Sequence, residues 1–292
     1  MLIKDNHIFR MGDGKETAVH VKQGETVVFD ARDGFNNQIP DESYVMDRLD
    51  WDNVNPAAGP VYIEGAEKGD ILKIEIVDID VAEEGTMCAL PGSGILGDIV
   101  EKSEAKKVKI VDGCAVFDNF KIPVKPMIGV IGVAPEGEPI PCGVPGNHGG
   151  NMDNTKIAKG ATLYLPVFHD GAYLACGDCH AGMGDGEIMV TGVEIPAKIS
   201  LKFEVIKGKS ITEPRLEDDE CIYTISSDVD IEKAIYSATK TMADILQDKL
   251  GYSLNQAGML ISLAGNLQFC QVVDPALTVR MAVPKTICDK II

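Results

Sequence analysis

The chain of 292 residues reads as a mostly β protein, a β-sandwich or barrel-like body carrying a small C-terminal helical insertion. Three observations predict this. Turn residues recur about every 8–12 positions through the first two hundred residues, at the spacing of an all-β protein. Between them, β-branched and other apolar side chains alternate with polar ones, the period of a strand with one buried face. Beyond Asp230 the apolar spacing changes to that of a helix.

The strand pattern appears first at His20–Asp30, as a strand, a Gly turn and a second strand. It recurs at Val61–Glu64, Ile71–Ile79, Lys107–Val111, Thr162–Pro166, Glu187–Val193 and Lys198–Ile206. Glu67-Lys-Gly-Asp70 and Val111-Asp-Gly113 supply turns. The apolar, Gly-dotted run Pro126–Val133 reads as a buried strand rather than a phosphate cradle, because no Gly-Lys-Ser ending follows. Ile231, Ala234, Ile235, Ala238, Met242, Ile245 and Leu246 predict a helix over Asp230–Leu250, stopped by Gly251. Ser253 with Gln256 three residues on is a capping box that starts a second helix, running to Leu263. Strands resume at Leu267–Val273 and Leu277–Val283. With no repeat and no linker, residues 1–292 form one unit: β-rich over 1–225, a helical pair over about 230–264, and strands again over 267–283.

Composition narrows the partners. Hydrophobic residues at 45 % and charged residues at 25 % are the balance of a soluble globular protein. A net charge of −18 repels phosphate backbones and anionic headgroups, so neither nucleic acid nor a membrane is an expected partner. The N-terminus lacks the basic flank and apolar run of a signal peptide, and no run of about 18 apolar residues occurs. Eight scattered cysteines without a secretory signal predict reduced thiols and a cytoplasmic location. Cys176-Gly-Asp-Cys179 has redox or half-zinc-site spacing, but no second pair stands at zinc-finger distance, and both thiols are read as bystanders.

The histidines carry most of the functional argument. His7, His20 and His169 lie in strand-like or turn sequence and read as structural or solvent-facing. His148 and His180 sit in glycine-rich polar segments, which expose side chains and let backbone approach a ligand. Pro145–Asn154 offers Asn147, His148, Asn151 and Asp153; Gly177–Glu187 offers Asp178, His180, Asp185 and Glu187. Imidazole with carboxylates is a mixed donor set that zinc accepts. One such segment alone reads as an Asx-type hairpin turn. Two, each with a histidine, read as a metal or catalytic site. Asp33–Gln38 with Asp47–Asn55 forms a further polar segment that reads equally well as a surface loop. No G-x-S-x-G elbow, H-E-x-x-H helix or G-x-G-x-x-G turn is present. Cys179 beside His180 would point to the opposite face of a strand.

At these residues the chain resembles the acetamidase/formamidase family. The resemblance centres on Gly177-Asp-x-His-Ala-x-x-Gly-Asp-Gly-Glu187, with Leu165-Pro-Val and Gly171-Ala before it. It extends through Gly149-Gly-Asn-Met-Asp153, Pro126–Pro135, Asn55-Pro-x-x-Gly-Pro-x-Tyr-x-Glu-Gly-Ala66, Gly69-Asp70 and Pro284-Lys285, nearly the whole chain. It implies a mostly β fold, a divalent metal, and hydrolysis of a small linear amide, formamide- or acetamide-like, to carboxylate and ammonia. Longer members carry His where Asn55 stands, so Asn55 is given no ligand role.

The expected site follows. His180, His148, Asp178 and Asp153 are the candidates to hold a divalent metal, zinc ahead of calcium. Glu187 serves as general base and Asn151 helps to stabilise the oxyanion. The expected partners are a small amide and further copies of the chain, a dimer or larger. The rival expectation is a non-catalytic β-sandwich whose loops bind calcium with a small ligand or sugar.

Overall fold

The computed structural model describes all residues, 1–292. It contains 21 strands and two α-helices, so the mostly β expectation holds. A nine-stranded sheet runs in the order Leu2–Ile3, Thr26–Ala31, Ala197–Ile206, Ile71–Val81, Thr162–Pro166, Arg215–Glu217, Cys221–Asp228, Leu277–Pro284 and Asn266–Gln271. A second sheet is built on Leu174–His180, flanked by Met127–Gly132 and Ala57–Ile63, with Gly149–Asn151 on one edge and His7–Ile8 on the other. A small four-stranded sheet, Glu84–Ala89 through Phe120–Pro123, stands beside them.

The two larger sheets face each other across the main core. Val27, Phe29, Leu72, Ile74, Ile199 and Leu201 of one meet Ala58, Val61, Ile63, Ile128, Ile131 and Leu174 of the other, all fully buried. Alternation explains the first sheet: Ala197–Ile206 buries every second side chain and exposes the rest. The second sheet is buried on both faces, which is why Met127–Gly132 is apolar throughout.

The helices match their sequence signals. α1 spans Ile231–Leu250; the Asp230 side chain accepts from the Glu232 amide at its start, and Gly251 at φ 67° ends it. α2 spans Leu254–Ala264 behind the Ser253–Gln256 capping box. Ala234, Ala238, Met242 and Ile245 form the stripe of α1 that packs on Val279, Met281 and Val283 of the sheet.

The two strands expected on either side of the Gly24 turn form, as Val19–Val21 and Thr26–Ala31, and they do not pair with each other. The first joins Ala57–Ile63 in parallel and the second enters the nine-stranded sheet, so this turn carries the chain between layers. Glu187–Val193 alternates like a strand but is a compact loop. The Val190 amide bonds the Glu187 carbonyl at 2.8 Å, and both residues adopt left-handed backbone, at φ 68° and 48°. Turn hydrogen bonds there outweigh β propensity.

Candidate metal centre

Strand Leu174–His180 is central in its sheet and every residue in it is buried. Left-handed backbone at Asp178, φ 51°, breaks the strand's alternation, so Cys176 and Cys179, three residues apart, both belong to the main core while Asp178 and His180 come together away from it. Burial pushes both thiols well above their ordinary range, so they stay protonated and unreactive.

On the His180 face four carboxylates converge. His180 Nε2 lies 3.0 Å from Glu194 Oε1, 3.8 Å from Asp178 Oδ1, and 3.9 Å from both Asp153 Oδ1 and Glu187 Oε1. Asp153, His180 and Glu187 form one set of mutually close donor atoms; Asp178, His180 and Glu194 form another. Atoms sharing one ion at about 2.0–2.6 Å have such separations. All five residues are buried, and neither ring nitrogen of His180 nor either carboxylate oxygen of Asp153 has a hydrogen-bond partner. Uncompensated buried polar atoms are costly, so a group that satisfies them is called for. A divalent cation fits: one imidazole and several carboxylates suit zinc or a harder, oxygen-preferring ion.

The backbone supports this convergence. Asp153, Asp178 and Glu187 all adopt left-handed φ, at 41°, 51° and 48°. Non-glycine residues seldom do so, and such strain gathers where structure over-determines a site. Glu194 is gripped on two sides. Its backbone exchanges hydrogen bonds with Thr86 at 2.8 and 2.9 Å, and its Oε1 accepts from the Gly192 amide at 3.1 Å. Glycines leave the room: a Cβ on Gly129 would lie 2.5 Å from Asp153 Oδ1, one on Gly34 would lie 2.6 Å from Glu194 Oε2, and one on Gly192 would strike the His180 ring.

Electrostatics agree. Burial first, and neighbouring carboxylates second, push Asp153, Asp178 and Glu187 well above the ordinary carboxylate range, and burial takes Glu194 to about 8 against the opposing pull of its hydrogen bond with Asp178. Asp274, packed beside Asp153, also rises to about 8 for the same leading reason. Like charges this close cannot all ionise without a compensating cation.

Three members of the cluster, Asp178, Glu187 and Glu194, line a cavity of about 400 Å³. Asn151, Asp178, Glu187, Glu194 and Asp274 line its polar end, and Phe35, Trp51, Val54, Leu90, Val190 and Val273 line its walls. The Asn151 Nδ2 donates to Asp274 Oδ2 at 2.9 Å.

A model of the acetamidase/formamidase family matches residues 9–142 and 140–290. The chain belongs to that family. A crystal structure of an acetamidase from Bacillus halodurans superposes with a TM-score of 0.97 at 42 % identity, covering 100 % of this chain and 99 % of that one. An acetamidase structure from Yersinia enterocolitica gives 0.92 at 30 % identity, covering 98 % and 92 %. A formamidase of Methylophilus methylotrophus is 26 % identical over 64 % of this chain and 61 % of its own length. An acetamidase of Mycolicibacterium smegmatis is 23 % identical over 65 % and 64 %. The chain thus spans less than two thirds of the length of these curated relatives.

Set against the expected site of this family member, the structure brings Asp153, Asp178, His180 and Glu187 together and leaves His148 out. His148 is fully buried in the neighbouring loop, flanked by Gly146 and Gly150, with both ring nitrogens unpartnered. Burial lowers its pKa to about 4. Asp185 also stands apart: its carboxylate takes hydrogen bonds from buried Arg280 and from Thr155, which moors the Glu187 loop. His7, His20 and His169 are structural, bonding Asp30 O, stacking on Tyr62 and bonding Pro135 O.

Sequence reasoning missed Glu194 and Asp274. Glu194 lies between Val193 and Ile195, one residue beyond an apparent strand, and an acid flanked by core residues was the available signal. Asp274 resembles any turn aspartate between two strands and gave none. No helix is long and apolar enough to cross a membrane.

Proposed function

We propose that this chain is a cation-dependent amidase hydrolysing a linear amide to carboxylate and ammonia. The observation that carries this reading is the buried imidazole with four converging carboxylates, three of which line the adjoining cavity. Family membership supports it. Asp153, Asp178, His180 and Glu194 would hold the cation, zinc or a harder divalent ion. When bound, that ion supplies Lewis acidity at the cavity floor.

The remaining chemistry falls to side chains. Glu187 faces the cavity and its carboxylate takes part in no hydrogen bond with the chain, so it is free to carry a proton. It takes one proton from the attacking water as the oxygen bonds the amide carbon, then delivers it to the nitrogen as the C–N bond breaks. Its raised affinity for a proton suits the return step. Asn151 gives one amide hydrogen to Asp274 and keeps a second for the carbonyl oxygen.

We place the protein in a reducing compartment, the cytoplasm, since all eight cysteines are free. It acts as one unit, and as a homo-oligomer. Gly251–Val273 carries no charged residue, and it exposes Leu254, Met259 and Leu263 on α2 and Leu267 and Phe269 on the adjoining edge strand Asn266–Gln271. A monomer in light scattering at micromolar concentration would overturn the oligomer.

Ammonia release from a panel of short amides tests the activity, before chelation, after it, and after restoring zinc, manganese or calcium. Loss on chelation and recovery on one of these ions is expected. Full turnover in protein shown to be metal-free overturns the metal dependence. Bound calcium with no ammonia release from any amide would favour a binding protein instead.

A further inference from the structure

We infer that the cavity selects neutral primary amides with an apolar acyl group several carbons long, over formamide and acetamide. This rests on the amidase reading, and it specifies the substrate class of the same site.

Size is the first ground. A cavity of about 400 Å³ is within the range that holds drug-sized ligands. Formamide, with three heavy atoms, fills on the order of two water volumes, ~60 Å³. Held at the cation site it would leave most of the cavity to water.

The second ground is the separation of polar and apolar lining. The four acidic lining residues are Asp178, Glu187 and Glu194 of the cluster and Asp274, which packs beside Asp153. Beyond the acids, the lining side chains are mostly apolar, Phe35, Trp51, Val54, Leu90, Val190 and Val273 among them, and the neutral polar ones are Asn55, Asn151 and Thr191. The amide group is thereby directed to the floor and an apolar substituent to the walls.

Charge is the third. No Lys, Arg or His lines the cavity, whereas Asp178, Glu187, Glu194 and Asp274 do. More carboxylates than one divalent ion can neutralise leave the site electronegative, which excludes amides that carry a carboxylate of their own.

Two wall residues stand out. Trp51 sits on a short 3₁₀ turn, Trp51–Asn53, and is 53 % exposed, so an entering ligand would cover it. Val190 holds left-handed backbone, which a β-branched residue avoids, to place its side chain on the wall.

The test uses the cation-loaded protein and the series formamide, acetamide, propanamide, butanamide, pentanamide and benzamide, with succinamate as the anionic member. The expected kcat/KM rises by up to ~fourfold per added methylene, the increment for burying one CH₂. Succinamate should be at least tenfold poorer than butanamide. Trp51→Ala should reduce the ratio of pentanamide to acetamide kcat/KM about tenfold. Acetamide turnover with kcat/KM falling along the series would overturn this inference and leave the amidase reading standing. Trp51 is the only tryptophan, so its fluorescence reports occupancy without turnover. Pentanamide quenching it at lower concentration than acetamide, with no ammonia from any amide, would support the inference and overturn hydrolysis. Equal or weaker quenching by pentanamide would overturn the inference.

Discussion

Pro145–Asn154 and Gly177–Glu187 look alike in sequence, each a glycine-rich polar segment with one histidine, yet they fold to different ends. His180 leaves a central strand and meets Asp153, Asp178, Glu187 and Glu194 within 3.0–3.9 Å. His148 is as deeply buried, but meets no carboxylate, and only glycines make room for it. The lesson is that burial and loop composition do not make a ligand. What surrounds the imidazole does, and here the surroundings arrive from three distant stretches of chain.

The two histidines are best separated by removing each. His180→Ala should lose the bound cation and the activity together, because a donor at the centre of both sets is gone. His148→Ala should keep the cation, read by elemental analysis, and lose stability instead, by about 2–4 kcal/mol in denaturant unfolding, as for other large buried side chains. Cation loss in His148→Ala with His180→Ala unaffected would reverse the assignment.

Glu187 sharpens the comparison within the better segment. Glu187→Gln preserves shape and removes proton transfer, so turnover should fall about 10²–10⁴-fold while the cation stays bound. Near-normal turnover would take Glu187 out of the mechanism, and loss of the cation would make it a ligand.

Proton linkage distinguishes His148 by a different measurement. Its pKa is lowered by burial to about 4, against 6.5 when unfolded. Between those values the unfolded chain binds the extra proton, so the stability linked to this group is complete above pH 6.5 and lost as pH falls toward 4. The loss should be about 3 kcal/mol across that window. His148→Gln should flatten the acid limb of the stability curve by that amount. An unchanged limb would mean that His148 protonates freely in the folded state.

The smallest effect contrasts glycines. Gly34→Ala would push a methyl into Asp178 and Glu194, and cation affinity should fall about 10–100-fold, the usual cost of disturbing a metal's supporting shell. Gly182→Ala, inside the signature segment, meets nothing within 4 Å and should change stability by less than ~0.5 kcal/mol. Calorimetric titration with the ion reads the Gly34 variant and denaturant unfolding the Gly182 variant; unchanged ion affinity in Gly34→Ala would show that Gly34 is not part of the cradle.

Much of this was legible along the chain. Helix ends were, because Asp230, Gly251 and the Ser253–Gln256 pair act on backbone groups within a turn of themselves. Strands Ile71–Val81, Thr162–Pro166 and Ala197–Ile206 were, because one face of each is buried and alternation records it. Asp178 and His180 were legible as candidates from the glycine-rich polar segment that holds them, but the buried central strand Leu174–His180 that ends on them was not. The loop at Glu187–Val193 was not: its hydrogen bonds and left-handed turns overrode an alternating pattern.

The sequence alone determined whatever depends on near neighbours: the β class, the two capped helices, Asp178 and His180 as candidates within one polar segment, and the resemblance that identified the family. Tertiary structure decided the rest. It brought Glu194 to His180 through a bridge between segments, set Asp274 from the last hairpin beside Asp153, and turned Gly34 and Gly129 into the walls of a cation site. It also buried His148 in a loop apart from the carboxylates. The physical reason is that a ligand set is a matter of distances between side chains far apart in sequence. Such distances follow from how sheets pack and where their loops meet, and no local period encodes them.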